Sequence, residues 1–108
     1  MDKERETSYL LKPSDRVYFV GIKGIAMTGL ALIAQHRGFE VSGSDVKERF
    51  LTDSILEEHK ISYVEGFSPE NIQEALRPEL VIVTGAHGGM TNPEAQKAKQ
   101  IGCRVVMQ

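Results

Sequence analysis

The chain has 108 residues, the length of one domain, and its apolar fraction of 41% beside ten glycines is that of a chain with a packed core. Thirteen basic against fifteen acidic residues give a net charge of -2, which argues against the basic excess of a dedicated nucleic-acid binder. No apolar run reaches the ~20 residues of a membrane span, the charged start from Met1 to Glu6 holds no signal-peptide core, and the single Cys103 forms no internal disulfide or zinc site by itself; the expected compartment is the cytosol.

Residues 1–15 carry one short apolar cluster, Tyr9-Leu10-Leu11, broken by Pro13-Ser14-Asp15, and read as a polar lead-in outside the core. From Arg16 a rhythm begins. Val17-Tyr18-Phe19-Val20 is an apolar, β-branched and aromatic run that predicts a buried strand ending at Gly21. Residues 24–37 are apolar almost all round, which predicts a buried helix, and Gly38 is its C-terminal stop. Residues 39–43 predict a second strand ending at Ser44-Asp45. Residues 52–60 predict a more polar helix with Ile55 and Leu56 facing inward, and 61–64 a third strand.

Ser68-Pro69-Glu70 is a helix start: a capping hydroxyl, proline in the first turn, then an acid favoured by the helix dipole. It predicts a helix to about Leu76. Leu80-Val81-Ile82-Val83 is the most hydrophobic strand and so a central one. Asn92-Pro93-Glu94 repeats the start signal for a helix to about Ile101, stopped by Gly102, and residues 103–107 form a fifth strand. Five strands alternating with helices predict an α/β fold: a Rossmann-like, doubly wound parallel sheet in the order 3-2-1-4-5. Ligands bind such sheets at the carboxyl ends of the strands, where the order reverses. The expected ligand loops are 21–29, 43–46, 65–68 and 84–92.

The first of these joins a strand to a helix, the context of a phosphate-binding turn. Gly21, Ile22, Lys23, Gly24, Ile25 and Ala26 are expected to offer backbone N–H groups to an anion at the helix start. Gly21 allows the tight turn, Ala26 permits close helix–strand packing, and Lys23 stands where a dinucleotide site needs glycine. Its side chain is expected to reach a phosphate, having room to swing into solvent, or else to obstruct the turn and crowd the pyrophosphate of a dinucleotide. Asp45, at the end of the second strand, is placed to accept hydrogen bonds from ribose hydroxyls, or to cap the following loop together with Ser44. His36 and His59, near helix C-termini, read as dipole partners. His87, in Gly85-Ala86-His87-Gly88-Gly89, lies on the ligand side of the strongest strand. These residues alone leave a dinucleotide and a UDP-sugar both open.

Val20-Gly21-Ile22-Lys23-Gly24-Ile25-Ala26-Met27-Thr28-Gly29 resembles the glycine-rich opening of the Mur ligase family. Val41-Ser42-Gly43-Ser44-Asp45 resembles its second-strand motif, Glu65-Gly66-Phe67 with Glu70-Asn71-Ile72 its third loop, and Val83-Thr84-Gly85-Ala86 before Asn92-Pro93-Glu94 its fourth. The resemblance is closest to the branches that add alanine or recycle murein peptides. Lys23 and Ala26 stand at glycines of that pattern, and Phe67 at a histidine. The resemblance implies a domain that holds the UDP part of a UDP-N-acetylmuramic acid-type substrate, with Phe67, Thr84, Gly85, Ala86 and His87 joining the loop residues in the site. It implies ATP and magnesium in a full-length ligase, through an acyl-phosphate mechanism. The sequence contains no Gly-x-x-x-x-Gly-Lys-[Ser/Thr] loop. The expectation is therefore a fragment, residues 16–108 binding substrate without catalysing and without a cofactor of its own, partnered by a central ATPase domain of the same chain. The alternatives are an NAD(P) domain of a dehydrogenase or ligand-sensing regulator, and an interaction module without ligand.

Overall fold

The computed structural model describes residues 11–108. Five strands, β1 (Arg16–Val20), β2 (Glu40–Asp45), β3 (Ser62–Glu65), β4 (Leu80–Val83) and β5 (Arg104–Met107), form one sheet in the order β3-β2-β1-β4-β5. Every neighbouring pair is parallel. Three helices cross between strands: α1 (Ile25–His36), α2 (Leu51–Glu58) and α3 (Pro93–Gln100). The chain is thus α/β with the predicted strand order. None of its helices is long and apolar enough to cross a membrane among the described residues.

Alternation along β1 splits the core in two. Val17 and Phe19 point to one face and pack with Ile22, Met27, Ala31, Leu56 and Ile61 under α1 and α2. Tyr18 and Val20 point to the other and pack with Ile72, Val81, Val83, Ala95 and Ala98 under α3. Phe19 is fully buried, and a side chain of that kind stabilises by about 1.5–3 kcal/mol. Gly43 is required where it stands, because a Cβ there would collide with the Phe19 carbonyl oxygen.

Four expectations need correction. Tyr9 and Leu10 lie outside the described residues, but Leu11 packs against the first core rather than standing apart from it. α1 is not buried all round: Met27, Thr28 and Ala31 are buried, while Ile25 and Ile33 are 87% and 55% exposed. A helix laid on one sheet face covers only one stripe of its surface. On α2, Leu56 turns inward but Ile55 is exposed. The predicted helix after Ser68 is two 3-10 turns, Pro69–Asn71 and Glu74–Leu76, parted by extended backbone at Ile72 and Gln73. This connection must carry the chain from the β3 edge past β2 and β1 to β4, three strand spacings or roughly 14 Å. Extended backbone covers that distance and drops Ile72 into the second core, where it is fully buried.

The stops behave as read. Gly38 and Gly102 follow α1 and α3 with positive φ. Their N–H groups bond back to Gln35 and Lys99, and the next residues, Phe39 and Cys103, reach Ala34 and Ala98. Asn92 caps α3 by accepting the Glu94 N–H at 2.9 Å.

Candidate functional site

The turn after β1 is fastened to the end of β2. Gly21 sits at φ +89 against the Thr84 side chain, where any Cβ would collide. The Gly21 and Ile22 N–H groups donate to the Ser44 carbonyl, and the Gly24 N–H returns to Gly21. The Lys23 N–H donates to Asp45 Oδ2 at 2.7 Å. Four of the six backbone donors assigned to an anion are therefore already paired. α1 begins behind Gly24, which has no side chain to cap it. The N–H groups of Ile25, Ala26 and Met27 are left at the positive end of the helix without an intrahelical acceptor.

Lys23 departs most from expectation. Its ammonium neither reaches toward the helix start nor lies in solvent; the side chain is 1% exposed. It pairs with Asp53 Oδ2 at 2.9 Å and donates to the Val46 and Glu48 carbonyls, both at 2.9 Å. Glu65 lies 3.5 Å away, and the Tyr63 and Phe50 rings flank the charge at 5.4 and 5.9 Å. A long apolar stem with three donors at its tip spans from the turn to this acceptor cluster, whose carbonyls and carboxylates offset the loss of water around the charge. Burial works to raise the Asp53 carboxyl, but hydrogen bonds from Lys23, the Phe50 N–H and Tyr63 outweigh it and hold the carboxyl below the ordinary range. Burial also pushes the Tyr63 phenol up to about 12, with Asp53 adding to the effect.

Asp45 is buried and already employed, accepting from the Lys23 and Val46 N–H groups at 2.7 Å each. A carboxylate has about four acceptor positions. Two remain, and His87 Nε2 approaches one oxygen at 3.6 Å. His87 holds a left-handed backbone (φ 53) and its ring lies 5.2 Å from that of Phe67. Its carbonyl accepts from the Asn92 side chain at 3.0 Å.

These groups surround a cavity of about 490 Å³, lined by Gly21, Lys23, Gly24, Ile25, Asp45, Thr84, Ala86 and His87 together with Phe50, Leu51 and Thr52. It opens where β1 and β4 diverge, at the carboxyl ends of the strands. Five expected residues do not line it. Ile22 is fully buried in the first core. Ala26 is exposed on α1 and makes no close packing; Thr28 takes that place, its hydroxyl donating to the Ile22 carbonyl at 2.7 Å. Ser44 points to the opposite sheet face and donates to Glu94 at 2.6 Å. Phe67 braces His87 from behind, and Gly85 is exposed beside the opening.

Phe50, Leu51 and Thr52 are what sequence reasoning missed. The signal was an apolar pair directly after the charged run Lys47-Glu48-Arg49, just beyond the 43–46 loop expected to meet a ligand. Glu94, by its place in a first helical turn, reads as a dipole partner on a helix surface. It is instead fully buried, accepting from Ser44, the Ser68 N–H and Asn71, and so ties the third and fourth loops together. Among the described residues no group of three or more His, Cys, Asp or Glu could hold a metal ion.

Comparison with known proteins supplies the family and supports the fold. Residues 16–108 match the family described as "Mur ligase family, catalytic domain". The chain is 46% identical over 86 residues to the UDP-N-acetylmuramate–L-alanine ligase of Acetivibrio thermocellus, covering 80% of this chain and 17% of that protein. It superposes on the crystal structure of UDP-N-acetylmuramate-alanine ligase from Thermotoga maritima with a TM-score of 0.74 at 30% identity, over 86% of this chain and 20% of that one. The UDP-N-acetylmuramate:L-alanyl-gamma-D-glutamyl-meso-diaminopimelate ligase from Neisseria meningitides gives 0.73 at 27% identity, over 86% and 28%. The chain spans about a fifth of the length of the curated relatives it matches. The family match takes in the whole sheet and the loops at the carboxyl ends of its strands. The chain belongs to the Mur ligase family.

Proposed function

We propose that this chain is the substrate-binding domain of an ATP-dependent Mur ligase of the alanine-adding or peptide-recycling kind, and that its cavity holds the UDP part of a UDP-N-acetylmuramic acid-type substrate. One observation carries the reading: the cavity opens at the switch point of the sheet, with the uncapped start of α1 on one side and Asp45 on the other. The diphosphate meets the free N–H groups of the first turn of α1, where the helix dipole favours negative charge. The two acceptor positions left on Asp45 face hydroxyl or N–H donors of the uridine. Ile25, Phe50 and Leu51 shield the nucleoside from water.

In such ligases ATP, with magnesium offsetting its charge, would give its γ-phosphoryl group to the carboxylate of the substrate and leave as ADP. The residues of this chain do not fit that task, since it has no P-loop sequence and, among the described residues, no metal-ligand cluster. The nucleotide triphosphate and the amine belong to the ATPase part of a longer polypeptide, and the role of this chain is binding, in the cytoplasm. Lys23 does not count against a nicotinamide dinucleotide, because its side chain has left the turn. What favours the UDP-sugar is family membership.

Thermal unfolding with UDP-N-acetylmuramate, NADH and ATP in parallel tests the proposal. A ligand at a hundred times its Kd, bound only by the native state, stabilises by about 2.7 kcal/mol. A shift with UDP-N-acetylmuramate alone is the expected result. A shift with NADH and none with the UDP-sugar would overturn it.

A further inference from the structure

We infer that Lys23 is a positioning residue of this pocket: its buried ammonium fixes the loop between β2 and α2, and so sets the Phe50–Leu51 wall against which the ligand is held. For the ligand the inference rests on the UDP-binding proposal; for the loop it rests on geometry alone.

An ammonium has three donors. Two of them go to the Val46 and Glu48 carbonyls and the third to Asp53. The loop is otherwise held from within: Val46 leans on Asp45, Phe50 on Asp53, and Arg49 on Glu57. Lys23 is thus the tie from the α1 turn to this loop, and the Thr52 hydroxyl completes it by donating to the Lys23 carbonyl at 2.6 Å. The residues so placed are pocket residues. Phe50, Leu51 and Thr52 line the cavity, and Leu51 is 89% exposed, so little core packing holds it there. A glycine at position 23 would leave both carbonyls to water and Asp53 buried without its cation. The lysine therefore makes one wall of the pocket part of the same rigid unit as the glycine-rich turn.

Lys23→Met alone leaves a buried charge, so the informative variant is Lys23→Met combined with Asp53→Asn, which removes both charges and keeps a side-chain oxygen for the Phe50 N–H. The readouts are amide hydrogen exchange in the ligand-free protein and titration calorimetry with UDP-N-acetylmuramate. The expected result is exchange at residues 46–51 at least tenfold faster, with the amides of β1 and β4 unchanged, and affinity at least tenfold weaker. Ile72→Ala, in the other core and away from the cavity, lowers the melting temperature and leaves affinity as in wild type. Native exchange in the loop of the double variant would overturn the inference, and so would faster exchange with native affinity. Equal loss of affinity in Ile72→Ala would also overturn it, by reducing the effect to stability. Wild-type protein that binds no UDP-sugar would overturn the UDP proposal instead, while loop exchange would still decide the role of Lys23.

Discussion

The two walls of the cavity are built in opposite ways. The wall formed by the α1 turn, the end of β2 and the start of α2 is fastened by charge: Lys23 to Asp53, Asp45 to two backbone N–H groups, each of these side chains buried. The wall after β4, residues 84–88, is exposed from Gly85 onward. Its backbone is held without any ion pair, by the Thr84 N–H on the Val20 carbonyl, the Gly89 N–H on the Ala86 carbonyl, the Thr91 N–H and hydroxyl on the Gly88 carbonyl, and the Asn92 side chain on the His87 carbonyl. The first wall is set before a ligand arrives. The second is held by neutral hydrogen bonds at the protein surface. Preorganising one side limits the ordering cost of binding.

The largest break in this comparison is Lys23→Met. It takes the nearer cation from buried Asp53 and leaves it the Phe50 N–H, the Tyr63 hydroxyl and Arg49 at 3.8 Å; removing one partner of a buried ion pair costs up to about 3–5 kcal/mol, and these remaining contacts reduce it. Scanning calorimetry reads it directly, and a variant that melts with the wild type would mean the first wall is not held by charge. Next is Asp45→Ala. It costs stability as well as a ligand contact, because the Lys23 and Val46 N–H groups lose their acceptor, at roughly 1–3 kcal/mol for a buried orphan. Affinity for UDP-N-acetylmuramate falls with it by about tenfold to a hundredfold, the worth of a charge-assisted hydrogen bond. Full affinity in this variant would remove Asp45 from the site.

Acid sharpens the same contrast. The Asp53 carboxyl lies lower in the folded chain than its ordinary value of about 3.9, so its contribution is complete above that value. It is lost as pH falls through the folded pKa. Melting temperature in wild type should therefore drop below about pH 4, and Asp53→Asn should flatten that part of the profile. An equal drop in both proteins would assign acid sensitivity to other carboxylates.

The sheet was legible because strands announce themselves locally. Val17 to Val20 and Leu80 to Val83 are runs no helix of that length would use, and Gly21, Gly38 and Gly102 mark turns that need positive φ. The segment after Ser68 misleads because its cap is genuine but short. Ser68 does accept the Glu70 N–H, yet the course of the chain beyond Asn71 is decided by the distance to β4 and by the burial of Ile72, which no local pattern contains. The site was legible by position and illegible by direction. Asp45, Thr84 and His87 do line the cavity, whereas Ser44, one residue from Asp45, faces the other side of the sheet. Alternation along β2 carried that information. The course of Lys23 was hidden, because its acceptors lie on residues 46, 48 and 53, whose backbone positions only the fold supplies.

The smallest effect belongs to His87 and tests the second wall. His87 is exposed and its approach to Asp45, at 3.6 Å, is longer than a hydrogen bond, so little stability rests on it. His87→Ala should leave the melting temperature nearly unchanged, in contrast to every substitution on the first wall. His87→Gly should melt no lower, since glycine takes the left-handed backbone that histidine holds at φ 53 without a steric cost. The Asn92 contact survives both, because it uses the backbone carbonyl. Only affinity should move. A ring at the edge of the cavity, exposed on one side, contributes a contact to the ligand, so the loss is a few-fold; whatever part of it shrinks as salt rises is electrostatic. Titration calorimetry of UDP-N-acetylmuramate at two salt concentrations, with wild type and both variants, measures it. A stability loss of several kcal/mol in His87→Ala would show that this wall, too, is fastened by charge, and the contrast between the two sides of the cavity would fall.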